Sequence, residues 1–185
     1  QTNGLNTNFN IGIGKNAIDT VSNTGSGNAG SLNIGIGLNS LTTTSSGQNN
    51  LAIGYNSLLV NTSGYKNIAI GTRSLPAIDT GIKNVAIGVL AGKVTTGSGN
   101  TILGTDAALA LTTGSNNVII GNNAGYGTIV GSATALTTGS NNIIIGNNAS
   151  ASNSLVQNEI TLGNSSITAL RCADTTIASL SDRRD

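Results

Sequence analysis

The chain has 185 residues and a formal net charge of +1; charged side chains make up 8%, aromatics 2%, and there is no His, Met or Trp. That balance leaves no basic footprint for nucleic acid or an acidic membrane surface, and too few bulky side chains for one thick core. No apolar run approaches the ~20 residues that cross a bilayer as a helix, and the first residues lack the basic and apolar regions of a signal peptide.

One five-residue phrase recurs from end to end, clearest as Asn67-Ile68-Ala69-Ile70-Gly71. Copies begin at Asn10, Asn33, Asn50, Asn67, Asn84, Asn100, Asn117 and Asn142, and a degenerate copy opens at Glu159. The spacings are 23, 17, 17, 17, 16, 17, 25 and 17 residues. A period near 17 predicts an array of stacked supersecondary units. Between phrases lies a short second segment, such as Asn56-Ser57-Leu58 or Arg73-Ser74-Leu75, then a Thr- or Ser-rich stretch. A Gly turn such as Ser63-Gly64 or Thr80-Gly81 closes each unit. Short runs rich in Ile and Val and punctuated by Gly predict strands, and no long period of 3.6 predicts a helix before the last twenty residues. Identical phrases stack most simply in register as parallel strands, with the leading Asn residues forming an amide ladder.

Two units are lengthened, one between Asp19 and Gly30 and one between Gly125 and Ala135. In stacked arrays such insertions are surface loops, and either binding loops or tolerated bulges fit them. Side chains alternate along a strand, so Ile68 and Ile70 are expected to face a layered interior. Ala69 then points the other way. Its row reads Gly12, Gly35, Ala52, Ala69, Ala86, Ile102, Ile119 and Ile144, apolar throughout and growing along the chain. A polar row would meet water; this one is expected to meet neighbouring chains.

The chemistry of catalysis is missing from the composition. A single Cys and no His exclude Ser-His-Asp and Cys-His arrangements, and metal-ligand spacing is equally lacking. Cys172 is expected to be a small buried thiol. The carboxylates do not cluster before the end of the chain, and no Gly-rich stretch takes the phosphate-loop form. The chain is therefore read as a non-enzyme without metal or cofactor. Aromatics suited to sugar contact are Phe9, Tyr55, Tyr65 and Tyr126. Tyr126, in the longer insertion, is the first candidate for a receptor contact.

The Asn-x-Ala-Ile-Gly phrases followed by Asn-Ser-Leu resemble the repeats of phage tail fibres and of trimeric adhesin heads. The terminal text adds a second resemblance. Ile160-Thr161-Leu162-Gly163-Asn164 through Ser179-Leu180-Ser181-Asp182-Arg183-Arg184-Asp185 is similar to the junction preceding the intramolecular chaperone of endosialidase-type tail fibres. In that family the chaperone drives trimer assembly and then cuts itself off at a Ser-Asp bond. The resemblance implies that Ser181-Asp182 is the processing junction; the Lys that usually follows is not reached by Asp185.

The expectation is an all-β fold, either a parallel β-solenoid (β-roll) or an interwound triple β-helix, built as a homotrimeric fibre segment. Residues 1–163 form the repeat domain and 164–185 a connector. The implied function is a structural and host receptor-binding segment of a phage tail fibre, on the virion, its partner a host cell-surface glycan or protein. A bacterial adhesin head and an ice-binding solenoid are the alternatives, the latter suggested by the Asn and Thr ladders.

Overall fold

In the computed structural model, which describes residues 9–19, 30–126 and 135–169, the chain is an all-β solenoid. Most of both insertions lies outside the described residues, as do Cys172, Ser181 and Asp182. Each phrase contributes one strand of three residues: β1 (Ile11–Ile13), β2 (Ile34–Ile36), β3 (Leu51–Ile53), β4 (Ile68–Ile70), β5 (Val85–Ile87), β6 (Thr101–Leu103), β7 (Val118–Ile120), β8 (Ile143–Ile145) and β9 (Ile160–Leu162). They form a single nine-stranded parallel sheet in sequence order. The register is strict, with Ile68 over Leu51 and Ala69 over Ala52, so each row of the sheet holds one repeat position. Consecutive pairing in one chain defines the solenoid, one strand per coil.

Left-handed residues turn the coil at fixed positions. Asn39, Asn56 and Arg73 have φ of 56, 54 and 54°, and Asn49, Lys66 and Lys83 have φ of 57, 59 and 58°. Asn tolerates this region better than most residues. The phrase-ending glycines need more. Gly37 has φ 129°, and a Cβ placed on it would sit 2.7 Å from the Gly54 carbonyl oxygen of the next coil. Only Gly satisfies both constraints.

The leading Asn residues form the expected ladder inside the coil. Asn84 is fully buried; its Nδ2 donates to Gly97 O at 2.9 Å and its Oδ1 accepts from Asn100 N at 2.9 Å. The pattern repeats from Asn33 to Asn142. Buried amides are tolerated because each is satisfied by the next coil.

The structure reverses the expected faces of the strand. Ala52, Ala69, Ala86, Ile102, Ile119 and Ile144 are fully buried inside the coil. Ile68 and Ile70 face outward and are only half-buried. The expectation that the Ala69 row meets neighbouring chains is therefore wrong, and so is its widening from Gly to Ile as a sign of a shared central space. The physical reason is volume compensation between each coil and the strand of the next. Four residues after each phrase glycine stand Ile18, Leu41, Leu58 and Leu75, then Gly92, Ala108, Gly125 and Ser150. Ile18, Leu41, Leu58 and Leu75 are followed by strands that offer Gly35, Ala52, Ala69 and Ala86, whereas Gly92, Ala108 and Gly125 are followed by strands that offer Ile102, Ile119 and Ile144. The handover is visible at Gly92, whose added Cβ would meet Leu75 Cδ2 at 2.8 Å and Ile102 Cδ1 at 3.0 Å. Near-constant volume per layer keeps the packing dense.

Candidate functional site

Turning the alanine row inward leaves two rows of side chains outside, large and apolar at every position but Thr101. The first runs Ile34, Leu51, Ile68, Val85, Thr101, Val118, Ile143 and Ile160; the second runs Ile36, Ile53, Ile70, Ile87, Leu103, Ile120, Ile145 and Leu162. Exposure reaches 37% at Ile87 and 65% at Ile160. Strand spacing over this sheet gives a flat stripe about 40 Å long. Exposed Leu38, Tyr55 and Val89 widen it beside the lower and middle coils. Beside the upper coils the same border position holds Thr105, Asn122, Asn147 and Asn164.

The opposite border is a corner built by the left-handed row Asn49, Lys66, Lys83, Gly99, Asn116, Asn141 and Asn158. Backbone bonds hold it in register: Lys66 N donates to Gln48 O and Lys83 N to Tyr65 O, both at 3.0 Å. The Lys66 ammonium lies 5.9 Å from the centre of the Tyr65 ring. Higher on the same corner, a hollow of about 340 Å³ is lined by the amides of Asn116, Asn141 and Asn158 over Val118, Ile143 and Ile160.

Tyr126 is half-buried at the start of the longer insertion, with its N–H donating to Asn123 O at 3.3 Å. It lies neither on the apolar stripe nor among the residues of the corner hollow. Sequence reasoning missed the corner. Its signal was the pair Tyr65-Lys66 and Ile82-Lys83, one period apart.

Threonine hydroxyls on the remaining side are engaged within the fold. Thr43, Thr96, Thr112 and Thr137 donate to carbonyls of the following coil at 2.8, 3.2, 2.9 and 3.1 Å. Thr62 donates to the Asp79 carboxylate of the coil above.

Among the described residues no group of three or more His, Cys, Asp or Glu side chains is placed to hold a metal ion. Among the described residues the one shifted carboxyl is Glu159, at the ladder position of β9. Burial works to raise its pKa, but hydrogen bonds from Ser152 and Thr161 outweigh burial and hold it below the ordinary carboxylate value. Ser152 N and Thr161 Oγ1 each donate to Glu159 Oε1 at 2.9 Å. No helix among the described residues is long and apolar enough to cross a membrane.

Comparison with protein-family models, curated proteins and solved structures finds no match to the chain.

Proposed function

We propose that this chain is a shaft and host-contacting segment of a homotrimeric phage tail fibre. The observation that carries the reading is the outer apolar stripe. Its two rows of Ile, Leu and Val cover on the order of 500 Å², as large as the interaction patches of soluble proteins. A stripe that is straight, in register and parallel to the stack suits burial along the axis between three identical solenoids. The seam now runs through the Ile68 and Ile70 rows in place of the Ala69 row. A bacterial adhesin head would use the same stripe; the text around Ser181-Asp182 favours the fibre, matured by removal of a C-terminal chaperone.

Light scattering of the purified protein tests the assembly. A mass near three times 18.3 kDa is expected; a monomer in native buffer overturns it. In the full-length gene product, Ser181→Ala is expected to leave any C-terminal chaperone attached, and unchanged cleavage at that bond overturns the processing assignment.

A further inference from the structure

The corner beside the stripe contains two side chains that the fold does not explain. Lys66 and Lys83 occupy one row in successive coils, which the Lys83 N–H joins by donating to Tyr65 O. Both have left-handed backbones, φ 59 and 58°. The row otherwise holds Asn, Gly and, at its lower end, Leu32 with φ 59°; relative to Asn or Gly, lysine gains nothing in this region and forfeits about 1 kcal/mol. Stacked one coil apart, the two like charges repel. Among the described residues neither ammonium is offset by an ion pair, and the Lys66 head group lies against the Tyr65 ring. Tyr65 itself is 36% exposed. The same corner continues upward through exposed Asn116, Asn141 and Asn158 and their hollow.

We infer that this corner binds a linear anionic glycan lying parallel to the stack. Acidic groups of the glycan sit against Lys66 and Lys83, one sugar ring packs on Tyr65, and the Asn amides farther along take hydroxyls. Two stacked cations fit a polymer with acidic groups at short intervals, since one anion then relieves the repulsion between the two. The aromatic face and amides favour a sugar backbone over a bare phosphate. The inference rests on the reading of the chain as a host-contacting segment, and it names the receptor class.

The test is calorimetric titration of the intact protein with a galacturonate oligomer, which carries a carboxylate on every ring, against a neutral malto-oligomer of equal length. The galacturonate oligomer is expected to bind and the neutral one to bind far more weakly. K66Q/K83Q is expected to weaken binding about tenfold or more, and Y65L to weaken it for both oligomers. R73Q/K93Q changes charge equally elsewhere and is expected to leave affinity within about twofold. Equal loss in R73Q/K93Q, unchanged affinity in K66Q/K83Q, or equally tight binding of duplex DNA overturns the site. Light scattering on the same samples separates the two proposals. A trimer that does not bind overturns the site alone; a monomer that binds overturns the assembly alone. Dissociation of K66Q/K83Q makes the lysines seam residues and overturns the glycan assignment.

Discussion

Asn84→Ala tests the ladder directly. The wild-type side chain donates to Gly97 O at 2.9 Å and accepts from Asn100 N at 2.9 Å and Asn100 Nδ2 at 3.2 Å. Truncation leaves Gly97 O and Asn100 N buried without that partner. At about 1–3 kcal/mol for each orphaned group, the loss is roughly 2–6 kcal/mol, a large share of a typical domain's stability. In a stack whose coils touch only their neighbours, the damage is local. Hydrogen exchange read by mass spectrometry is therefore the assay. Protection is expected to fall most over Val85–Ile87 and Thr101–Leu103, the strands on either side of the break. The control is Gln157→Ala, an exposed amide whose backbone is not left-handed, expected to change little. Loss below about 1 kcal/mol for Asn84→Ala, or loss equal to the control, refutes the claim that internal amides hold the coils together.

Three further outcomes follow from the same geometry. Gly92→Ala and Leu75→Ala are each expected to destabilise, by about 2–4 and 2–5 kcal/mol, but the pair by less than the sum, because the new Cβ enters space vacated by Leu75 Cδ2; strict additivity in chemical denaturation argues against volume compensation. Asn61 is buried with an unpartnered Oδ1, in a row where Thr44 and Thr95 pair their hydroxyls with backbone carbonyls. Asn61→Thr is expected to raise stability by about 0.5–2 kcal/mol, and a lowered thermal midpoint would refute this. Glu159 has a depressed pKa when folded, so its contribution is present above the ordinary carboxylate value and is lost as pH falls through the folded pKa. Exchange protection of Ile160–Leu162 is expected to decline on acidification with a shallow slope, and E159Q to abolish that slope; an unchanged slope in E159Q assigns it to another group.

Periodicity made the coil legible, because every phrase copy had to occupy the same place for stacked strands to pair. Asn67 and its counterparts could be read as a ladder for the same reason. The direction of the side chains was not legible from the strand alone. Bulk at Ile68 and Ile70 suggested an interior, yet the interior belongs to Ala69 because Leu58 and Leu75 already fill it from across the coil. The clue lay outside the phrase, in the change from Leu75 to Gly92 and Ala108 while the strand residue changed from Ala to Ile. The Lys66 corner was hidden for a similar reason. Two residues 17 apart become neighbours only after the coil length is known to be one period.

The amide ladder also gives the stack a sense of direction. Every Asn from Asn33 to Asn142 gives an Nδ2 hydrogen to a carbonyl of the coil that follows it and accepts on Oδ1 from that coil's N–H, while in most of them Nδ2 also donates back to the preceding Asn Oδ1. A partly formed stack therefore carries a two-point template at its leading edge: one group for an incoming carbonyl and one for an incoming N–H. The order of addition matches the order in which a ribosome delivers the coils. Glu159 donates its own N–H to Asn142 Oδ1 but has no side-chain amide hydrogen to offer onward, and its Oε1 is occupied by Ser152 and Thr161. A single change of side chain, from amide to carboxylate, thus removes the onward donor from this rung of the ladder.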